Sequence, residues 1–225
     1  MNFEFRDYPD REMLAIDLAN MIAGELRAQL DHSKRVSLAV PGGTSPGPIF
    51  DSLSATSLDW DRVDVLLGDE RWVPETSERS NTRLLRERLL TGKAAAARLL
   101  PLYAEAETPE EKLEELAEAI RPSLPLGVVL LGMGADLHTA SIFPGADRLA
   151  EALSPDAPIL LPMRAPGAPE PRITLTAPVL DGALNKHVLI FGAEKRAALE
   201  KAKGLPPEEA PINAVLDQAV VHWAE

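Results

Sequence analysis

Asp136 and His138 stand two residues apart in the run LGMGADLHTASIFPG, which occupies positions 131–145. The run continues the apolar segment 127–131, whose length and composition predict a buried strand. Loops beyond the carboxyl ends of strands in an open α/β sheet are where ligands bind. A histidine there can transfer protons near neutral pH, and a neighbouring carboxylate can fix its tautomer or charge. We therefore predict that Asp136 and His138 form an acid/base pair, the alternative being a histidine that only caps a local turn.

The same run also resembles the start of a dinucleotide-binding fingerprint, in which three glycines follow a strand. Gly132 and Gly134 match its first two glycines, but Leu137 occupies the position of the third. Dinucleotide binding is therefore disfavoured, and the acid/base interpretation suits the run better.

A second glycine-rich turn, PGGTSP at positions 41–46, follows the apolar segment 36–40. Free backbone N–H groups at Gly43, Thr44 and Ser45, with two hydroxyls at a helix N-terminus, suit a phosphate group. The turn also matches the G-x-S-x-G nucleophile elbow, but Pro46 lacks the N–H that would build half of the oxyanion hole. We therefore predict an anion-binding turn in preference to a nucleophilic Ser45. The remaining alternative is a tight turn that merely requires glycine.

A charged segment, Gly68–Pro74, follows the apolar segment 63–67 and contains Asp69, Glu70 and Arg71. A charged turn is usually solvated surface. This segment, however, follows the end of a predicted strand, and a tryptophan and a proline make it rigid. Both features favour a functional site over a solvated turn. Arg71 could bind a phosphate or a carboxylate through two hydrogen bonds.

Two further cations stand at strand ends. Arg172 immediately precedes the predicted strand 173–176, and Lys195 lies in the first turn of a predicted helix after the strand 188–191. Taken alone, each of these residues would be interpreted as an ordinary charged residue on the surface. A lysine in the first turn opposes the helix dipole, and such local conflicts are expected where a residue serves a ligand.

Composition narrows the classes of function. The chain has 225 residues, a formal net charge of −12 and no cysteine. The charge argues against a nucleic-acid partner, and the missing cysteines exclude disulfides, a thiolate nucleophile and cysteine-ligated metal. No apolar run approaches the roughly 20 residues that span a bilayer, and the N-terminus lacks the features of a secretory signal. We expect one cytoplasmic domain over residues 1–225, with no membrane partner; the oligomeric state is open, with a monomer favoured.

Short apolar segments alternate with amphipathic ones, which is typical of a parallel sheet flanked by helices on both faces. The predicted strands are 36–40, 63–67, 127–131, 173–176 and 188–191. One helix is predicted over 11–30, and a second runs from Pro46 to about Leu53 with Ser45 as its cap. Asn81 is expected to cap a third helix, and a capping box at 108–111 is expected to open a fourth. Two more helices are predicted over 193–202 and 212–218. The segment 154–171 contains six prolines and is expected to be a surface excursion.

Four segments together resemble the 6-phosphogluconolactonase family. The turn 41–46 resembles its SGGSTP loop, and 68–74 with Ser80–Asn81 resembles its GDER-x-VP…SN segment. Residues 132–145 are similar to its GMGxDGHTASLFPG signature, and 172–176 to its R-[IV]-T-[LM]-T strand. The segments stand in the family's order, and the resemblance covers roughly residues 5–223.

The resemblance implies hydrolysis of 6-phospho-D-glucono-1,5-lactone on a Rossmann-like fold shared with glucosamine-6-phosphate deaminases, without a metal or organic cofactor. Transferred by position, His138 is the general base and Asp136 its partner. Asp69, grouped with the catalytic residues, lies with Arg71 at the sugar end. The residues that would hold the phosphate are Gly42, Gly43, Thr44, Ser45, Arg172 and Lys195.

Two departures from the family pattern bear on this site. Leu137 replaces the usual glycine between the aspartate and the histidine, and leucine resists positive φ. We therefore expect the geometry linking Asp136 to His138 to differ. Pro41 replaces a serine and removes one hydroxyl from the phosphate loop.

Two other functions remain open from the sequence. A glucosamine-6-phosphate deaminase or isomerase would share the fold, but that family has a catalytic glutamate where this chain has Phe143. A non-catalytic sugar-phosphate sensor would keep the pocket. Sensors of this kind usually carry an additional binding region, and this chain has neither spare length nor a basic patch.

Overall fold

The computed structural model of the chain describes residues 1–225. Its ten strands are β1 (Glu4–Asp7), β2 (Val36–Val40), β3 (Val63–Leu67), β4 (Asp69–Arg71), β5 (Arg98–Leu99), β6 (Val128–Gly132), β7 (Leu160–Met163), β8 (Arg172–Leu175), β9 (Asn185–Phe191) and β10 (Val220–Ala224). Its seven α-helices are α1 (Arg11–Leu30), α2 (Gly47–Ser54), α3 (Asn81–Arg88), α4 (Leu113–Ile120), α5 (Leu149–Leu153), α6 (Ala177–Asp181) and α7 (Gly192–Ala202). No helix combines the length and the apolarity that crossing a membrane requires.

Seven strands form one parallel sheet in the order β1-β10-β9-β6-β2-β3-β5. From β2 the chain proceeds outward through β3 to β5, and from β6 it proceeds in the opposite direction through β9 to β10. The strand order therefore reverses between β2 and β6. In open α/β sheets, the crevice outside the carboxyl ends of the strands at such a reversal is where ligands bind.

Four of the seven strands of the main sheet, β2, β3, β6 and β9, form where the sequence predicts strands, because these central strands are mostly buried on both faces. The outer strands β1, β5 and β10 were not predicted. All residues of β2 and β3 are buried, and β6 is buried except at its last residue. Strands buried on both faces appear in the sequence as continuous apolar runs, and these runs locate them. The observed β6 begins and ends one residue later than predicted.

The longest helix, α1, is also where it was predicted. Asp10 caps it by accepting a hydrogen bond from the backbone N–H of Met13 at 2.8 Å. Leu14, Leu18 and Ile22 recur every four residues and are fully buried. Burial of each such side chain contributes roughly 1.5–3 kcal/mol relative to exposure, so this stripe fixes the helix against the sheet.

A three-stranded antiparallel sheet, β4-β8-β7, was not predicted. The charged segment after β3 forms β4, and the proline-rich segment contains β7, whose four residues are all buried. The prediction of a surface excursion over 154–171 was therefore wrong for this part. Pro162 is tolerated because β7 pairs only with β8, and an edge strand can lack one N–H donor.

Three predicted details of the helices were wrong. Helix α2 has Pro46 at its N-cap position and no side-chain cap, because the chain first makes a turn in which Gly47 N–H donates to the Thr44 carbonyl. Helix α3 is capped by Ser80, one residue before the predicted Asn81. The predicted helix 212–218 is only a 3₁₀ turn, Pro211–Ala214. The capping box at 108–111 is confirmed, although it opens a 3₁₀ turn ahead of α4.

A chain of buried polar groups ties α1 to β9 and β10. Glu25 contacts His187 Nε2 at 2.8 Å, and His187 Nδ1 lies 3.0 Å from His222 Nε2. His222 Nδ1 lies 2.9 Å from the Tyr8 hydroxyl, which donates to Asp17 at 2.6 Å. Burial, with the nearby charge of His187, lowers the pKa of His222 from 6.5 to about 3.

This pKa predicts that acid weakens the fold through His222. The unfolded chain protonates this residue below about pH 6.5, whereas the folded chain does so only near pH 3. Stability is therefore lost as the pH falls through that window, by at most about 1.4 kcal/mol per pH unit. We expect His222→Gln to flatten the pH dependence of the unfolding free energy between pH 6 and pH 4, measured by urea denaturation. His32→Gln, at an exposed position, is the matched control; equal slopes in both variants would contradict the assignment.

Candidate active site

A cleft of about 360 Å³ lies at the carboxyl ends of β2 and β6, where the strand order reverses. Its walls are the turn after β2, the loop after β6, the start of β4 and β8, and the first turn of α7. The cleft gathers nine of the ten residues assigned to the site from the sequence: Gly42, Gly43, Thr44, Ser45, Asp69, Arg71, His138, Arg172 and Lys195. Asp136 does not line the cleft but lies behind His138.

The loop after β6 presents the imidazole of His138 to the cleft. Asp136 Oδ1 lies 2.5 Å from His138 Nδ1 and also accepts the His138 backbone N–H at 3.1 Å. The other ring nitrogen, Nε2, has no protein partner. A Cβ on Gly134 would lie 2.2 Å from the imidazole, so a glycine is required beneath the ring. With Nδ1 held by a carboxylate, Nε2 is free to accept a proton from a ligand or a water.

Leu137 does not prevent the contact between Asp136 and His138. It adopts a φ of 73°, the conformation that a glycine would supply, and its side chain is buried. A leucine in this conformation costs about 1–2 kcal/mol, and burial of its side chain, worth roughly 1.5–3 kcal/mol, offsets that cost.

The turn after β2 presents unpaired donors. The backbone N–H groups of Gly42, Gly43, Thr44 and Ser45 donate to no protein acceptor. Gly43 has a φ of 81°, which orients successive N–H groups along the turn. Such an arrangement at a helix N-terminus is suited to an anion.

Asp69 reaches the cleft from β4 and is almost completely buried. The Ser141 hydroxyl donates to its Oδ2 at 2.5 Å, and the Ser141 backbone N–H donates to Thr174 Oγ1 at 3.2 Å. Ser141 belongs to the loop that contains His138. It therefore connects that loop to both β4 and β8, and so fixes Asp69 relative to the imidazole.

Arg71 and Arg172 converge on one carboxylate, Glu170, which lies 3.9 Å and 3.4 Å from their nitrogens, while Arg79 contacts it at 2.6 Å. Burial lowers the pKa of Arg172, although the charge of Asp69 acts in the opposite direction. Burial alone would raise the pKa of Glu170, but the hydrogen bond from Arg79 and the charges of the other two arginines lower it. The Nε atoms of Arg71 and Arg172 are buried without a partner. Both side chains line the cleft, and of their Nη groups only Arg71 Nη1 donates within the protein, to the Arg79 carbonyl at 3.1 Å. The remaining Nη donors could bind an anionic ligand.

Lys195 projects into the cleft from the first turn of α7 and forms no ion pair with any carboxylate. Together with Arg71 and Arg172 it gives the cleft three cations in a chain whose net charge is −12. Local positive charge of this kind is what an anion would require to overcome the repulsive field of the whole protein.

Sequence reasoning missed four residues that shape the site. Asn81 lines the cleft, Ser141 binds Asp69, and Glu170 organises the arginines. Phe143 packs on the His138 ring with 4.5 Å between centroids and lies 5.6 Å from the Arg172 guanidinium. Asn81 and Ser141 stand in the segments that carry the family resemblance, which could have drawn attention to them. No sequence pattern indicated Glu170, because it stands in the proline-rich segment, outside the motifs.

Glu70, paired with Asp69 in the sequence, is not part of the cleft. It is fully buried and accepts five hydrogen bonds at the start of α3, so its role is to hold that helix.

Comparison with known proteins agrees with this architecture. The family model of glucosamine-6-phosphate isomerases and 6-phosphogluconolactonase matches residues 9–223. A 6-phosphogluconolactonase of Mesorhizobium japonicum is 45% identical over 231 residues, covering 99% of this chain and 96% of the relative. One of Rhizobium meliloti is 42% identical over 232 residues and covers 100% of both chains. The crystal structure of a 6-phosphogluconolactonase from Shewanella baltica OS155 has a TM-score of 0.96 at 33% identity, covering 100% of this chain and 98% of that one.

The fold defines an α/β protein with a cleft where the strand order of its parallel sheet reverses. The chain belongs to the glucosamine-6-phosphate isomerase/6-phosphogluconolactonase family. The resemblance stated from four sequence segments and the Rossmann-like fold that it implied are confirmed.

Gly134→Ala tests the geometry around the imidazole. Its methyl group would meet the ring at 2.2 Å and Asp136 Oδ1 at 2.7 Å, so we expect His138 to move away from Asp136. ¹⁵N NMR of the imidazole should show loss of the Nδ1 hydrogen bond. Gly132→Ala, where an added Cβ meets nothing within 4 Å, should leave the signal unchanged. An unchanged His138 spectrum in Gly134→Ala would mean that the close contact does not exist in solution.

Proposed function

We propose that this protein hydrolyses 6-phospho-D-glucono-1,5-lactone to 6-phosphogluconate, the second step of the oxidative pentose phosphate pathway. One observation carries the proposal: an imidazole with its Nδ1 on Asp136 and its Nε2 free shares a cleft with unpaired backbone donors and three cations. That combination provides a base beside an anion site. The proposal has independent support, because relatives that match over nearly their full length are 6-phosphogluconolactonases.

His138 would act as the general base. As a water oxygen attacks the lactone carbonyl carbon, one proton of the water passes to Nε2 and the carbonyl oxygen becomes an oxyanion. The bond between that carbon and the ring oxygen then breaks, and the ring oxygen takes the proton back from the imidazolium. Asp136 would hold the imidazole in the correct tautomer and stabilise its charged form.

The phosphate of the substrate would occupy the turn 42–45, with Arg172 and Lys195 on its other sides. Backbone N–H groups supply directed hydrogen bonds to phosphate oxygens, and the two cations supply charge. Because the phosphate does not react, this end of the cleft would anchor the substrate while the lactone ring reaches His138.

Asp69 and Arg71 would line the sugar end. Asp69, held by Ser141, can accept hydrogen bonds from ring hydroxyls. Arg71 lines the cleft at this end and is a candidate donor to the developing oxyanion through its Nη groups. A lactone is already activated, so positioning, oxyanion donors and a base worth about 10²–10⁴-fold are sufficient without a covalent nucleophile.

Replacement of the proposed base tests the mechanism. His138→Ala should reduce turnover of freshly generated lactone by about 10²-fold or more, because it removes the base that would take the proton from water. The assay couples 6-phosphogluconate formation to its oxidation at early times, with spontaneous hydrolysis subtracted. His32→Ala, at an exposed position, should behave as the wild type. Undiminished turnover in His138→Ala would remove this residue from the mechanism.

Lys195→Ala should mainly raise KM, roughly tenfold or more, because the lysine would contact the non-reacting phosphate. The matched control is Lys201→Ala, which removes an exposed lysine from the same helix but outside the cleft. A loss confined to kcat, with KM unchanged, would contradict the phosphate-binding role.

A further inference from the structure

The side chain of Asn81 is a polar group without a protein partner. Asn81 is the first residue of α3, lines the cleft and is only 7% exposed. Its backbone N–H is bonded, but neither Oδ1 nor Nδ2 makes a hydrogen bond within the protein. A carboxamide offers two donors and an acceptor oxygen. Neither of its polar atoms is among the buried atoms without a partner, so both are open to the cleft and a partner can reach them there.

Glu70 fixes the position of this carboxamide. Its carboxylate, with 0% exposure, accepts the backbone N–H groups of Asn81 at 2.9 Å and of Thr82 at 2.7 Å. It also accepts hydrogen bonds from the Thr82 hydroxyl at 2.7 Å, from Ser80 and from the Arg71 backbone. The start of α3 is thus satisfied from inside the protein. Only the Asn81 side chain remains for a ligand.

The glycine turn fixes the same carboxamide from the other side. A Cβ on Gly42 would lie 2.1 Å from Asn81 Cγ and 2.3 Å from both Oδ1 and Nδ2. Position 42 therefore has to be glycine so that the carboxamide can lie flat against the turn. The unpaired side chain is consequently held beside the anion-binding donors of residues 43–45.

We propose that Asn81 is a substrate-binding residue that recognises a hydroxyl group of the sugar ring, an inference that rests on the proposed function. Phosphate and an oxyanion only accept hydrogen bonds and would use the donor half of the carboxamide alone. A hydroxyl both donates and accepts, so it can pair with Oδ1 or Nδ2, and two neighbouring hydroxyls can pair with both. Cations and backbone N–H groups in the cleft already supply donors to anions. Asp69, when ionised, only accepts hydrogen bonds, whereas the neutral carboxamide offers a donor and an acceptor in one group.

A comparison of variants with deoxy substrates tests this role. The wild type, Asn81→Ala and Asn81→Leu are assayed with 6-phosphogluconolactone and with its 2-, 3- and 4-deoxy analogues. Asn81→Leu retains bulk against Gly42 but has no polar atoms. We expect both variants to lose about tenfold in kcat/KM on the parent lactone, and the wild type to lose a similar factor on one analogue. On that analogue the variants should show no further loss.

Gly42→Ala gives an independent check, because its methyl group would displace the carboxamide. It should reproduce the loss seen in Asn81→Ala, and adding it to that variant should cost less than it costs the wild type. If Asn81 variants and wild type respond equally to all three deoxy analogues, the proposal is overturned. That result is distinct from failure of the proposed function, in which the wild type would not accelerate hydrolysis of the parent lactone.

Thr82→Val separates binding from a purely structural role. It removes one hydrogen bond to Glu70 at the same helix end without altering a group that lines the cleft. It should lower the melting temperature while leaving the discrimination against the deoxy analogue intact. Loss of that discrimination in Thr82→Val but not in Asn81→Ala would assign the effect to the helix end and overturn the role of the carboxamide.

Discussion

The reversal of strand order between β2 and β6 is the constraint on which the rest of the site depends. Parallel strands deliver their following loops to one edge of the sheet, and at the reversal two such loops diverge and leave a crevice. Here one loop provides the unpaired N–H groups of residues 42–45, and the other provides His138. The flanking strands β3 and β9 then lead to Asp69 and Lys195 respectively. Residues up to about 150 positions apart in the chain meet because of this topology.

Three carboxylates organise the cleft: Glu70 and Asp69 are buried and Glu170 is half-buried. Glu70 holds the start of α3, Asp69 receives the hydroxyl of Ser141, and Glu170 gathers three arginines. Each carboxylate is satisfied by directed hydrogen bonds or by cations, which makes its burial tolerable. Arg71 and Arg172 nevertheless keep free Nη donors in the cleft, so the arrangement can still receive an anion.

The loop with His138 illustrates how local strain and packing balance. Leu137 holds a left-handed conformation that favours glycine, and its buried side chain compensates. At Gly134, in contrast, any side chain would displace the imidazole, because the ring lies where a Cβ would be. The same loop thus accepts leucine at position 137 and keeps the contact between Asp136 and His138, but needs glycine at position 134 to keep it. Sequence comparison alone would have treated both glycine positions alike.

The sequence by itself determined the four central strands of the parallel sheet, α1 and the residues at the strand ends, because continuous apolar runs and helical periodicity are local signals. It also indicated His138, Lys195 and the glycine turn, since the ends of parallel strands necessarily converge. Only the tertiary structure decided the small antiparallel sheet: the sequence predicted the strand β8, but not its pairing with the short, charged β4, which lies about a hundred residues away in the chain. It alone gave Glu170 its place among the arginines and left the Asn81 carboxamide without a partner. Such features arise from long-range pairing and from which hydrogen bonds remain unmade, and neither leaves a periodic trace in the sequence.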